Sequence, residues 1–206
     1  MRKKKNYLDD KSWCFWEKNN ENFDKITERS WDSFSFSLKG KTNFLKSSDY
    51  KYYYVRSIQF YKTIIDKISK SSHVMLKLGE TTKDIIKYKN NYKVKTNKNI
   101  YLSKNILDTR PRHNVFKKKP FMYQSFIGYE IKIFKKIELK RYNAYIMHNM
   151  HVEDKNFYFE YILPLKGNIY LFELTTFSTK KVAFEIIENK LKKILTTYFN
   201  NSYQII

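Results

Sequence analysis

The chain has 206 residues, of which 42% are hydrophobic and 18% aromatic, ample for the core of one large domain or of one and a half small ones. A single cysteine, Cys14, excludes an internal disulfide and a cysteine-built zinc site, as suits a reducing compartment; four glycines and three prolines exclude a loop-rich chain, and there is no run of about 18 apolar residues to span a membrane. The formal net charge of +21 invites nucleic acid, but only six of the 41 basic residues are arginine, the residue that reads phosphate and guanine bidentately, so no specific nucleic acid is expected. The lysine excess also suits docking on anionic lipid.

In chain order, KSWCFWEK (11–18) packs Trp13, Phe15 and Trp16 into four residues, either as core or as the lining for a large apolar ligand. SFSFSL (33–38) alternates and predicts a strand with Phe34, Phe36 and Leu38 on one face. Residues 57–72 place Ile58, Tyr61, Ile64, Ile65 and Ile68 at helical spacing. Short strands are predicted at 73–78, 91–96 and 98–110. Four closely spaced strands follow at 121–134, 143–152, 156–165 and 168–177, and this spacing favours hairpins over crossover helices. The last element, 179–199, lines up Phe184, Ile187, Leu191, Ile194, Leu195 and Tyr198 as the apolar stripe of a helix. Both helices are expected to pack that stripe on a sheet. The fold class is α/β, becoming α+β in the second half.

The four glycines, Gly40, Gly79, Gly128 and Gly167, are scattered, so no Gly-rich dinucleotide turn or P-loop is present. His148 and His151 are three apart in an extended segment, which points them to opposite faces and argues against a metal site. No nucleophile elbow is found. ILDTRPRHN (106–114) ends a strand at Asp108 and turns at Arg110 and Pro111, either as a salt-bridged turn or as a cofactor loop at a strand's carboxyl end. The most informative residue is Glu173. It lies among Leu171, Phe172, Leu174 and Phe177, with no basic residue within five positions. Either it faces water, or burial raises its pKa and makes it a proton carrier in an apolar pocket.

Taken together, several stretches resemble the lycopene cyclase family of flavin-dependent carotenoid-cyclising proteins. They are DDKSWCFWEK, FDKITERSWDSFSF with Trp31, YYYVRSIQFYKTI, NILDTRP, YQSFIGYEI with Gln124, Phe126 and Gly128, and FYFEYILPL followed by LFELTTFS. The resemblance implies part of a two-domain flavoprotein of the glutathione-reductase type. Residues 1–120 then correspond to a partial FAD-domain region lacking the N-terminal Gly-rich βαβ unit. Residues 121–206 correspond to an antiparallel substrate-domain sheet with a C-terminal helix, and the chain is expected to be truncated at both ends. Glu173 falls on the family's essential glutamate and is the expected catalytic acid. Asp108, Arg110 and Pro111 are the expected cofactor contacts. Trp13, Phe15, Trp16, Gln124, Phe126 and Phe172 are the expected substrate contacts. Reduced FAD with NAD(P)H as its reductant, lycopene or a related linear carotenoid, the inner membrane as a peripheral cytoplasmic docking surface, and a complementing chain are the implied cofactors and partners. In one respect the chain departs from the pattern: the family's Met-Asp pair reads His148–Asn149 or Met147–His148 here, without the acid.

Overall fold

Apolar runs rich in aromatic and β-branched residues make the second half of the chain extended, and the close spacing of its turns folds it into hairpins. The computed structural model describes residue 9 and residues 11–18, 25–110 and 121–206. Strands β1 (Ser12–Lys18), β2 (Arg29–Trp31), β3 (Ser33–Leu38), β4 (Lys41–Lys46) and β5 (Tyr50–Arg56) precede helix α1 (Ser57–Ser69). Strands β6 (Thr82–Tyr88), β7 (Asn91–Thr96) and β8 (Ile100–Ser103) follow. Strands β9 (Tyr123–Ile133), β10 (Asn143–Glu153), β11 (Asn156–Pro164) and β12 (Ile169–Ser178) then lead to helix α2 (Phe184–Phe199) and strand β13 (Tyr203–Ile205). The class is mixed α+β.

The described residues fall into two compact units. One holds 9, 11–12 and 56–110; the other holds 13–18, 25–55 and 121–206. Residues 13–18 and 25–55 are in the same unit as the C-terminal sheet.

The larger unit is built on a seven-stranded sheet in the order β13-β9-β12-β11-β10-β3-β4. Its central strands β9, β12, β11 and β10 are antiparallel neighbours, and only β3 and β10 run parallel. One face is covered by α2, whose Ile187, Leu191, Leu195 and Phe199 pack with Ile131, Ile162, Phe172 and Leu174 of the sheet. Asn200, in the left-handed conformation, closes that helix. The other face is covered by a small sheet in the order β1-β5-β2, whose Trp31, Tyr52 and Tyr54 pack with Ala144, Leu163 and Leu165.

Strand β3 shows what being covered on both faces does to the alternation rule. The strand is where the pattern predicts it, but Ser33, Ser35 and Ser37 are its buried residues. Each serine hydroxyl meets a polar side chain of β10: Ser33 Oγ donates to Asn143 Oδ1 at 2.9 Å, Asn143 Nδ2 donates to Ser35 Oγ at 2.8 Å, and Ser37 Oγ lies 2.8 Å from His148 Nδ1. Buried hydroxyls are tolerated because they are paired.

In the smaller unit, β6, β7 and β8 form an antiparallel meander. Residues 73–78, expected as a strand, are irregular, and of 98–110 only Ile100–Ser103 is strand. Helix α1 forms as expected, yet its apolar stripe is not packed away: Ser57 is its only buried residue, and Phe60, Ile64 and Ile65 are exposed.

Candidate functional site

Residues i and i+2 of a strand share a face. On β12 this sets Leu171, Glu173 and Thr175 toward the small aromatic sheet and Phe172 and Leu174 toward α2. Glu173 is half-buried, and its Oε1 accepts a 2.7 Å hydrogen bond from Thr175 Oγ1, itself 1% exposed. Its flanking partners in register are Tyr161 on β11 and Gly128 on β9. A Cβ placed on Gly128 would lie 3.3 Å from the Glu173 Cβ and 3.4 Å from Leu171 Cδ1, so the glycine is what lets the two strands carry an acid here without crowding.

On the β11 side the carboxyl meets a polar and aromatic group drawn from the small sheet. Tyr161 Oη and Tyr52 Oη are 2.7 Å apart, and Cys14 packs in the same cluster. The ring of Trp16 lies 4.7 Å from that of Tyr52 and meets Phe34 edge-on at 4.6 Å. Alternation along β1 sends Cys14 and Trp16 to this side and Trp13 and Phe15 to the other, where Phe15 stacks on Tyr53 at 5.6 Å.

Desolvation dominates the electrostatics. Burial raises the Glu173 pKa above the usual carboxylate range, and the hydrogen bond from Thr175 opposes it in part. No cation is paired with the carboxylate among the described residues. Burial also pushes the Cys14 thiol up to about 11, and raises Tyr52 and Tyr161 far above the ordinary phenol value. The cluster is therefore a set of protonated donors in an apolar frame.

The other expected site residues divide. Gln124 and Phe126 lie on the Glu173 face of β9, opposite Phe177 and Thr175; both are exposed, Phe126 at 59%. Phe172 faces the opposite way and fills the core under α2, its ring 5.3 Å from that of Phe199. Asp108 and Arg110 belong to the smaller unit and form a bidentate ion pair with both N···O distances at 2.8 Å, while Arg110 Nη1 also donates to the Thr82 carbonyl at 3.3 Å. Pro111 lies outside the described residues.

Sequence reasoning passed over Thr175, which alternation along β12 alone sets beside Glu173, and Tyr52, Tyr161 and Cys14, which only strand pairing and packing bring there. It also passed over Glu160, a second acid in an apolar strand. Glu160 is 5% exposed on the α2 side, where its carboxylate accepts from Asn149 Nδ2 at 3.1 Å and from Tyr198 Oη at 2.8 Å. The criterion that singles out Glu173 does not reach it, because Lys155 lies five positions before Glu160. No group of three His, Cys, Asp or Glu is arranged for a metal among the described residues.

The described residues do not fit the diphosphate of a flavin dinucleotide. Such a group wants a glycine-rich strand-to-helix turn whose amides point at it. Neither helix starts at one: α1 follows Arg56 and α2 follows Ala183. The glycines with positive φ, Gly40, Gly79 and Gly167, stand singly in turns. Asp108 and Arg110 are committed to each other.

Comparison with known proteins adds the following. A family described as "Lycopene cyclase protein" has a model that matches residues 4–205. No curated protein matches the chain. Among solved structures, the chain resembles halogenase PltM in complex with ethyl mercury and mercury, at 10% identity and a TM-score of 0.57 over 88% of this chain and 42% of that one. PltM in complex with phloroglucinol and FAD gives 9% identity and a TM-score of 0.54 over 88% and 43%. The chain thus spans about two fifths of the length of these structures, and at such identity the likeness is one of fold alone.

Proposed function

The chain belongs to the lycopene cyclase family, and from that premise we propose that Glu173 is the general acid of an acid-initiated cyclisation of the ends of lycopene, or of a related linear carotenoid, to β-ionone rings. The observation that carries this reading is the carboxyl itself, half-buried, held by Thr175, raised in pKa and without a cation, on a face shared with aromatic rings.

An alkene is a feeble base, so its protonation needs an acid that is kept neutral and close to water-free. Desolvation favours the protonated form of Glu173, and Thr175 fixes one oxygen. Transfer of that proton to the terminal double bond leaves a tertiary cation, which closes on the neighbouring double bond; loss of a proton from the ring cation completes an isomerisation that consumes no electrons. Trp16, Phe34, Tyr52 and Tyr161 present ring faces or edges to this region, and a cation over an aromatic face gains about 0.5 to 2 kcal/mol per ring. Phe126 and Gln124 extend the same face along β9. In this reading the larger unit is the substrate part of a two-domain flavoprotein of the glutathione-reductase type. Reduced FAD and NAD(P)H are family expectations, and groups that hold the dinucleotide come from a complementing chain or from residues outside those described.

The test is to graft this chain in place of the equivalent segment of an active family member in a lycopene-accumulating host. Cyclic carotene should form, and Glu173→Gln should abolish it while leaving carotenoid association intact. Linear lycopene alone from the graft, or cyclic product from the Gln variant, overturns the reading.

A second reading, a non-catalytic membrane or apolar-ligand module, is favoured by the smaller unit. Between residues 56 and 110 there are thirteen Lys and Arg against four Asp and Glu. The same span exposes Phe60, Ile64, Ile65, Val74, Met75 and Leu76.

A further inference from the structure

The surroundings of Glu173 are lopsided. On its β11 side the way is closed by Tyr161, whose hydroxyl lies 2.7 Å from that of Tyr52, whose ring in turn packs against Trp16. On its β9 side stands Gly128, which has no side chain and is exposed. Beyond β9 the sheet has only β13, and that strand pairs no further than Ile131, with a last amide bond from Ile206 to the Glu130 carbonyl. Gly128 is therefore at the open edge of the sheet among the described residues. The backbone there does not demand glycine, since Gly128 is not among the positive-φ residues; what glycine supplies is space. Of the two flanking residues on the same face, Glu130 accepts a 3.1 Å hydrogen bond from Tyr54 Oη, while Phe126 is apolar and 59% exposed, as suits the wall of a lane for hydrocarbon.

We propose that the substrate end reaches Glu173 across Gly128, and that this glycine gauges what reaches the acid: the slim, flat end of a linear isoprenoid hydrocarbon passes, and a side chain at position 128 shuts the lane. Gly128 is on this account a specificity-determining residue of the site. The inference rests on the reading of Glu173 as the acid, and its experiment separates the two.

The probe is dicyclohexylcarbodiimide, an apolar reagent that takes the proton of a neutral carboxyl onto nitrogen as the carboxyl oxygen bonds its central carbon. It reports access to Glu173 whether or not a carotenoid binds. Mass spectrometry of the labelled full chain should place the adduct on Glu173. Gly128→Val should cut its rate at least tenfold, and Gly128→Ala, the smaller change should Val perturb folding, by a lesser but measurable factor. Lys132→Val, an exposed site farther along the same strand, should leave the rate unchanged with the same melting temperature. Equal labelling of the wild type and both Gly128 variants, or no labelling of the wild type, overturns the lane. Lycopene uptake from detergent micelles is measured on the same proteins. Labelling that depends on residue 128 without lycopene uptake by the wild type would leave the lane standing and remove the carotenoid reading.

Discussion

At the scale of single residues, two glutamates in neighbouring strands meet opposite fates. Glu173 faces the aromatic sheet with one hydroxyl donor; Glu160 faces α2 with two donors, from Asn149 and Tyr198. Burial raises both. Thr175→Val removes the one bond that favours the anion of Glu173, so its titration midpoint should move further upward, read from the 13C shift of the side-chain carboxyl; the loss of that bond costs about 1 kcal/mol of stability. A midpoint that stays put would show that Thr175 does not hold the acid. For Glu160 the sign follows from linkage. Its folded-state pKa lies above the unfolded one, so the native protein binds the extra proton, and stability falls as pH rises from the ordinary carboxylate value of 4.5 through the raised value. Glu160→Gln keeps the shape without the charge. Its melting temperature should equal the wild type's near the bottom of that window and exceed it above, whereas a gap that does not change with pH would mean that the carboxyl does not titrate there. Asn149 is taken up in this network; it sits at a bulge of β10 with φ of 49°, a conformation asparagine tolerates better than most residues.

At the scale of elements, the two helices were read from the same periodicity and turn out differently. Leu191 and Leu195 of α2 are completely buried, and either change to alanine should cost about 2 to 5 kcal/mol in denaturant unfolding. Ile65 of α1 is 37% exposed, and Ile65→Ala should cost well under about 1 kcal/mol. Comparable losses at both sites would show that α1 is packed as α2 is. The stripe of α1 was legible, but what covers it was not, since periodicity reports a face and never a partner. The strands β9 to β12 were legible because each is a run of nine residues or more, rich in apolar side chains, between close turns. Strand β2 carries too few residues to register a period, β4 (KTNFLK), as long as β3, does not alternate, and 73–78, apolar enough for a strand, stays irregular in the described structure. Strand β3 was placed correctly, with Phe34, Phe36 and Leu38 on one face; that the serine face is the more buried one depends on Asn143 and His148 of β10, which its own alternation does not show. The site followed the same rule: Glu173 was visible as a lone acid, while Tyr161, Tyr52 and Cys14 depend on register between distant segments.

At the scale of the whole molecule, the formal charge of +21 is not spread in proportion to the fold. The span 56–110 combines its thirteen basic residues with exposed apolar side chains on α1 and in the segment after it, and no helix among the described residues is long and apolar enough to cross a membrane. A lysine close to an anionic surface adds about 1 kcal/mol, and burying a side chain such as Met75 or Val74 in the acyl boundary adds about 1.5 to 3 kcal/mol. A few of each suffice for peripheral binding. The chain should therefore sediment with phosphatidylglycerol-rich vesicles and not with phosphatidylcholine vesicles. Raising the salt from about 0.1 M to about 1 M contracts the screening length from about 10 Å to about 3 Å and should weaken that binding strongly. Val74→Asp with Met75→Asp should weaken it at every salt concentration, because the apolar contribution is lost and a negative charge is set against the lipid. Glu173→Gln should leave vesicle binding as it is, since the acid belongs to the other unit. Equal binding to neutral and anionic vesicles, or indifference to the double aspartate change, would mean that neither the lysines nor the exposed side chains of this unit meet lipid, and the apolar stripe of α1 would then call for a protein partner instead.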